Sequence, residues 1–113
     1  MATTKDVRRI ALSLAGTTEA PHFDRTAFKV ARIYATVAAD GLTANLKLTI
    51  DEQTVYVGAY PTAFHALDNA WGKQGWTSAL LTELELAELS EVLELAWKNA
   101  QSTKKRAKSP KSR

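Results

Sequence analysis

The sequence predicts an α+β fold, a two-layer sandwich in which an antiparallel sheet of about five strands carries an N-terminal and a C-terminal helix on one face. Two observations predict it. Residues 26–48 alternate between apolar and polar side chains with the period of two that is typical of strands. Near each end of the chain, apolar residues instead recur every three or four positions, which is the period of an amphipathic helix. An apolar sheet face and two apolar helix stripes can bury each other.

The first helix is predicted over residues 4–15. Thr3 or Thr4 can cap its N-terminus, and Gly16 suits the left-handed conformation that closes many helices. Its buried stripe comprises Val7, Ile10, Ala11 and Leu14. Residues 17–25 include a proline and are predicted to form a loop that leads to the first strand.

The central segment is predicted to form three strands. The first two meet at a hairpin around Ala31 and Arg32. Asp40 and Gly41 form the turn to the third strand, because both residues tolerate the positive φ that tight hairpins need. The third strand covers residues 42–48, and the side chains expected to face the core are Leu42, Ala44, Leu46 and Leu48.

The segment 51–59 is ambiguous by local rules. Its β-branched and aromatic residues prefer a strand, while Asp51 as cap and Glu52 in the first turn suit the start of a helix. Farther along, short strands are predicted at residues 63–67 and 76–81, with a loop at residues 68–75 between them.

The last helix is predicted to start at a Thr82-x-x-Glu85 capping box, with Lys98 near the negative end of its dipole. Its buried stripe comprises Leu86, Leu89, Leu93, Ala96 or Trp97, and Ala100. This helix is expected to cover the sheet.

Charge divides the chain into two parts. Six of its 15 basic side chains lie within residues 102–113, which hold no acid, so residues 1–101 keep nine basic against all 12 acidic side chains. We predict a folded domain over residues 1–101 and a basic, disordered tail over residues 102–113. The tail has no apolar side chain larger than alanine to offset the entropy of ordering it.

The chain contains no cysteine, which excludes disulfides and thiolate metal sites. Its N-terminal apolar stretch is interrupted by Arg8, Arg9 and Ser13, so neither a signal peptide nor a membrane span is predicted. We therefore expect a cytoplasmic monomer that holds no metal or cofactor.

Several segments recur in an order that resembles a known family. They are LSLAGTTEAPH, AFKVARIYATV, a Leu-Lys-Leu strand, WGKQGWTSALL and an apolar helix that ends in Ala-Trp. Over residues 5–100 this order resembles the MmcQ/YjbR family. The resemblance implies a frataxin-like (CyaY-like) sandwich and a helix at residues 51–59. Family members commonly have Gly-Lys in the first hairpin, where this chain has Ala31 and Arg32.

Members of that family are often described as DNA-binding, which directs attention to the cations of this chain. Arg25, Lys29, Arg32 and Lys47 can line the exposed face or rim of the sheet, with Tyr34 as a stacking partner. The tail adds Lys104, Lys105, Arg106, Lys108, Lys111 and Arg113. Such cations neutralise phosphates and give salt-sensitive binding of nucleic acid without sequence preference. The simpler interpretation is a solvated sheet face and a tail without a specific role.

The loop from Trp71 to Trp76 is the alternative site, for a small ligand or a protein. Its candidate ligand-binding residues are Trp71, Lys73, Gln74 and Trp76. Glycines let a ligand approach the backbone, and an indole can stack on a ring. The competing interpretation is that Trp76 and Trp97 pack in the core.

No enzymatic function is predicted. The only histidines are His22 and His65, and no cysteine is present to act as a nucleophile. His22 and Asp24 lack a third ligand for a metal ion. The sequence also has no glycine-rich phosphate motif.

Overall fold

One antiparallel sheet of six strands with three helices on one face makes up the part of the chain that the computed structural model describes, residues 1–101. In chain order the elements are α1 (Thr4–Ser13), β1 (Thr18–His22), β2 (Arg25–Lys29), β3 (Ile33–Ala38), β4 (Thr43–Lys47), α2 (Ile50–Ala59), β5 (Phe64–Ala66), β6 (Trp76–Leu80) and α3 (Leu86–Asn99). Short 3₁₀ helices flank β6 at Gly72–Gln74 and Leu81–Glu83. The predicted α+β sandwich is confirmed. The predicted tail, residues 102–113, lies outside the described residues.

The strands follow the spatial order β1-β2-β3-β4-β6-β5, and every neighbouring pair is antiparallel. We call the face that the helices cover the inner face and the opposite one the outer face. One row of paired residues on the inner face consists of Phe28, Ala35, Leu46 and Thr77, all fully buried. The adjacent row on the outer face consists of Ala27, Thr36, Asn45, Ser78 and His65.

The segment 17–25, predicted as a loop, contains strand β1. The prediction is wrong because all five residues of β1 are exposed, so no apolar alternation marks the strand. Pro21 has no N–H to donate, and β1 tolerates it because an edge strand has a partner on one side only. The sheet therefore has six strands instead of about five.

A bulge in the pairing of β2 with β3 turns two successive residues of β3 towards the helices. The register shifts at the end of β2, and Tyr34 and Ala35 are both fully buried. The Tyr34 hydroxyl lies 2.9 Å from Thr17 Oγ1 and donates a hydrogen bond to the Ala11 carbonyl oxygen at 3.4 Å. Tyr34 thus faces α1, and its predicted role as a stacking partner on the exposed face is wrong.

The ambiguous segment forms helix α2, as the family resemblance implies. Its N-cap is Thr49, two residues before the predicted Asp51. Thr49 Oγ1 accepts a hydrogen bond from the Glu52 N–H at 3.1 Å, and Glu52 Oε1 accepts one from the Thr49 N–H at 2.9 Å. This capping box, together with packing on the sheet, outweighs the strand preference of the β-branched residues.

The last helix starts later than predicted. Thr82 lies in a 3₁₀ turn, and the α3 N-terminus is instead held by Glu88 Oε1, which accepts a hydrogen bond from the Glu85 N–H at 3.0 Å. The buried stripe of α3 consists of Leu89, Val92, Leu93 and Ala96. Two residues predicted in the core, Leu86 and Leu42, are 46% and 51% exposed. Within residues 1–101, no helix has the length and apolarity that crossing a bilayer requires.

A buried tyrosine joins α2 to α3 and makes stability sensitive to alkaline pH. The Tyr56 hydroxyl donates a hydrogen bond to Glu91 Oε1 at 2.8 Å. Burial and then the Glu91 carboxylate raise the pKa of Tyr56 well above its usual 10.0. Below pH 10 Tyr56 is neutral in both states, and its full contribution to stability is present. Above pH 10 the tyrosine ionises in the unfolded chain before it does so in the folded protein, which favours unfolding. We expect the melting temperature to fall above pH 10, and to fall less in Tyr56→Phe. An equal fall in both proteins would contradict this.

Candidate functional site

All three helices pack on the inner face, so the outer face of the sheet has no helical cover. The outer-face row ending at His65 consists of small or polar residues, which form a shallow floor. The β1–β2 turn rises at one side of this floor and the loop 67–75 at the other. One cavity lies between these walls, and a smaller one adjoins it beside the β2–β3 turn and the end of α3.

The larger cavity has a volume of about 360 Å³. It runs from the β1–β2 turn across β3 and β4 to the loop before β6. Its lining consists of His22, Phe23, Asp24, Arg25, Ile33, Thr36, Asn45, Leu67, Trp71 and Trp76.

The smaller cavity has a volume of about 200 Å³ and adjoins the larger one. Both cavities share Ile33, Trp71 and Trp76. The remaining lining of the smaller cavity consists of Arg32, Lys47, Gln74 and Ala100. We call the two cavities together the outer groove.

The β1–β2 turn places an aromatic ring at the rim of the groove in an unusual backbone conformation. Phe23 has φ 61° and is 94% exposed, and its ring meets that of His22 edge to face at 4.9 Å. A positive φ in the first position of a two-residue hairpin turn normally belongs to glycine. For a bulky residue this conformation costs on the order of 1–3 kcal/mol. Stability alone therefore does not explain a phenylalanine at this position.

Arg25 lines the larger cavity and reaches the neighbouring strand β3. Its Nε donates to Thr36 Oγ1 at 2.8 Å and its Nη2 donates to the Thr36 carbonyl oxygen at 3.4 Å. Thr36 is only 5% exposed although no helix covers it. The guanidinium carries five N–H donors, so these two contacts leave the Nη1 donors for another acceptor.

The cations of the smaller cavity contact backbone carbonyls. Lys47 Nζ donates to the Gln74 carbonyl oxygen at 2.6 Å, and Arg32 Nη2 donates to the Asn99 carbonyl oxygen at 3.2 Å. These contacts fix the ends of the 67–75 loop and of α3. They also hold positive charge at a defined place beside Trp71 and Trp76.

The loop that carries Trp71 is held by tight packing and by hydrogen bonds. Asn69 Oδ1 accepts hydrogen bonds from the backbone N–H groups of Trp71 and Gly72 at 2.9 and 3.3 Å. The Gln53 side chain donates to the Gly72 carbonyl oxygen at 3.0 Å. Gly72 leaves no room for a side chain, since a Cβ would lie 1.8 Å from the Leu67 carbonyl oxygen. Trp71 is thus 57% exposed on a fixed backbone.

The structure brings together most of the residues that the sequence singled out. Six of these residues line the outer groove: Arg25, Arg32, Lys47, Trp71, Gln74 and Trp76. Lys29 is exposed on the same face but lines neither cavity. Lys73 lines a different, more open cavity beside α2. The tail residues Lys104, Lys105, Arg106, Lys108, Lys111 and Arg113 lie outside the described residues.

The competing interpretation of the tryptophans holds in part. Trp76 is half-buried and lines both cavities. Trp97 packs against the core, and its Nε1 donates to the Ala15 carbonyl oxygen at 2.9 Å. Trp97 is therefore structural, whereas Trp71 and Trp76 belong to the groove.

Sequence reasoning missed the residues at the rim and floor of the groove. Phe23 is a large apolar residue between His22 and Asp24, and its isolation in a polar segment is the signal that could have identified it. Thr36 and Asn45 carry no such signal, because polar residues are ordinary on an exposed sheet face.

The groove differs in charge from the rest of the described chain. Its lining holds Arg25, Arg32 and Lys47 against a single carboxylate, Asp24. Residues 1–101 as a whole carry more acidic than basic side chains. His22 and Asp24 come together in the larger cavity, but nowhere in residues 1–101 do three or more histidine, aspartate or glutamate side chains group as a metal site.

Comparison with known proteins supports the family resemblance. The family model YjbR matches residues 12–99. No curated protein matches the sequence. The structure is similar to the crystal structure of Deinococcus radiodurans protein DR2400, of the family-model domain DUF419, with a TM-score of 0.72 and 22% sequence identity, over 85% of this chain and 76% of that one. At that identity the likeness shows a shared fold. The match over most of its length shows that the chain belongs to the YjbR family.

Proposed function

We propose that this chain is a non-enzymatic protein that binds nucleic acid weakly and without sequence preference. The basic tail neutralises phosphates, and the outer groove supplies a second contact. The observation that carries the proposal is the uneven distribution of charge. Six cations follow residue 103 without one acid, and three more line a single groove in an otherwise acidic body. Clustered cations of this kind favour a polyanion.

The groove contacts expected from this arrangement carry little sequence information. Arginine and lysine bind phosphate oxygens, which are the same at every nucleotide. Trp71 and Trp76 offer ring faces, and any base that is not already stacked between neighbours can stack on them, whatever its identity. The affinity should therefore depend on salt much more than on base sequence.

A second candidate is a binding site for a small ligand, without nucleic acid. The volume of the larger cavity favours it, because about 360 Å³ lies within the range of roughly 300–1,000 Å³ that is usual for small-molecule sites. Its lining is mostly apolar and aromatic, with Arg25 as a charged group to orient an anion. Trp71, Gln74 and Trp76 would contribute, while Lys73 would not.

Removing the tail tests the proposed function. We expect a chain that ends at residue 101 to bind a labelled DNA duplex at least tenfold more weakly at about 50 mM salt. The slope of log K against log [salt] should shrink by up to about 0.9 for each phosphate that the shortened chain no longer neutralises. Fluorescence anisotropy over a salt series measures both quantities.

A full-length chain in which all six tail cations are replaced by glutamine is the matched control, since it keeps the length of the tail. It should bind as weakly as the shortened chain. If either variant binds duplex as tightly as the parent protein, the tail does not deliver the contact and the proposal fails.

A further inference from the structure

The strongest unexplained feature of the molecule is the exposed Phe23 ring on a strained turn. Its backbone lies in the left-handed region and its side chain is 94% exposed at the rim of the larger cavity. An exposed aromatic residue held in a costly conformation is typical of a binding site, because selection for stability alone would favour glycine there.

A second exposed ring borders the same cavity from the opposite side. Trp71 belongs to the loop that precedes β6, whereas Phe23 belongs to the turn between β1 and β2, and strands β3 and β4 lie between them. Both residues line the larger cavity. Two exposed rings therefore border one cavity, whose lining between them includes Thr36 and Asn45.

The cavity also offers donors for an anion. Arg25 binds Thr36 through Nε and Nη2, which fixes the plane of the guanidinium and leaves its Nη1 donors available. Arginine held in this way is suited to bidentate or paired contacts with phosphate oxygens. In the adjoining smaller cavity, Arg32 and Lys47 provide positive charge for the next anion along a chain.

We propose that the outer groove binds an unpaired nucleotide of a single strand, with the base stacked on Trp71, Phe23 as the opposite wall, and the phosphate at Arg25. This inference rests on the proposed function and specifies the form of nucleic acid that the groove accepts. A volume of about 360 Å³ is near the lower end for ligand sites, which suits one base with its sugar.

The stacking of bases in a duplex explains why the groove should accept a single strand instead. In a duplex both faces of each base are covered by its neighbours, so Trp71 has no face to stack on. In a single strand one base can enter the larger cavity while the next phosphate reaches Arg32 in the smaller one. The shared chemistry, a planar heteroaromatic ring with a phosphate, also occurs in free nucleotides, which occupy one cavity only.

The test compares three probes on the full-length chain: thymidine monophosphate, an oligothymidylate, and a duplex of the same length. We expect Trp71→Leu to weaken binding of the oligothymidylate about tenfold, because stacking on one aromatic residue raises the affinity by about one order of magnitude or more. Binding of the duplex should change less than twofold. Trp71→Phe keeps a ring and should retain part of the affinity. Val55→Ala alters an exposed apolar residue on α2 and is the control. It should leave the affinity for both the oligothymidylate and the duplex unchanged.

A second pair of variants tests the phosphate contact. Arg25→Gln and Lys29→Gln remove the same charge from the same strand and face, but only Arg25 lines the groove. We expect Arg25→Gln to weaken single-strand binding at least threefold more than Lys29→Gln does. If the two variants weaken binding equally, Arg25 acts only through its charge, and its assignment as the phosphate contact of the groove is wrong.

The outcomes separate this inference from the proposed function. If Trp71→Leu weakens duplex and single strand equally, or affects neither, the nucleotide site is wrong even when the tail binds DNA. If no polymer binds but thymidine monophosphate quenches tryptophan fluorescence in the parent and does not bind Trp71→Leu, the groove takes free nucleotides and the proposed function fails. Melting temperatures close to that of the parent show that each variant is folded.

Discussion

Replacing Gly75 with alanine is expected to destabilise the protein by roughly 3 kcal/mol or more and to displace the loop that carries Trp71. Gly75 has φ 105°, and a Cβ there would lie 1.8 Å from the Leu48 carbonyl oxygen. The added Cβ would clash with a backbone oxygen, so no side-chain rotation can relieve the contact. Gly75 also accepts a hydrogen bond from the Leu48 N–H at 3.1 Å, which joins the loop to the end of β4. Chemical denaturation measures the loss.

Two other glycines make this prediction specific. Gly41 has φ 78° with no atom near its added Cβ, so Gly41→Ala reports the backbone strain alone, about 1 kcal/mol. Gly58 lies in α2 with open space and an ordinary φ, so Gly58→Ala should stabilise by about 0.5–1 kcal/mol. If Gly75→Ala costs no more than Gly41→Ala, the close approach to Leu48 does not constrain the loop.

Gln53→Glu is expected to have the second large effect, a loss of about 2–4 kcal/mol at neutral pH. The Gln53 Nε2 group donates to the carbonyl oxygens of Gly72 and Trp76 at 3.0 and 3.1 Å and to Thr77 Oγ1 at 3.2 Å. A carboxylate of the same shape has no proton to donate and would face three oxygen atoms in a nearly buried position.

Acid should restore part of the stability of this variant. The surrounding oxygens and the burial raise the pKa of the introduced carboxyl above its unfolded value of about 4.3, so protonation favours the folded state. The loss should therefore be complete above the folded pKa and shrink as the pH falls through it. Gln53→Ala removes the donors without adding charge and should show no such recovery. The measurement is denaturation at pH 7 and at about pH 4.5. A constant loss at both values would contradict the argument.

The sequence predicts a strand or a helix correctly where the spacing of its apolar side chains is regular. The alternation along β4 and the apolar stripe of α3 are recognisable in the sequence because each element buries one face only. Edge strand β1 has no buried residue, so nothing in its side chains reports that its backbone is paired. The bulge at Tyr34 could not be predicted either, because it arises from the pairing of β2 with β3 and leaves no mark on the residue types.

The groove was predictable only in its parts. The cations and the tryptophans were each singled out, but as two separate sites, because residues as distant in sequence as Arg25 and Trp71 become neighbours through the strand order alone. Arg25 was expected to be a free surface cation, whereas Thr36 positions it. Phe23 was missed because its significance lies in its φ, which the residue type itself disfavours.

The position of Ala100 has a consequence for how strongly two weak contacts act together. Ala100 lines the smaller cavity directly after the end of α3, so the described part of the chain ends beside that cavity. Under the proposed function, a strand bound in the groove would meet the covalently attached basic segment at an effective concentration on the order of millimolar. The combined avidity would then exceed either affinity alone, and moving the same basic segment to the N-terminus would forfeit that gain while leaving the net charge of the chain unchanged.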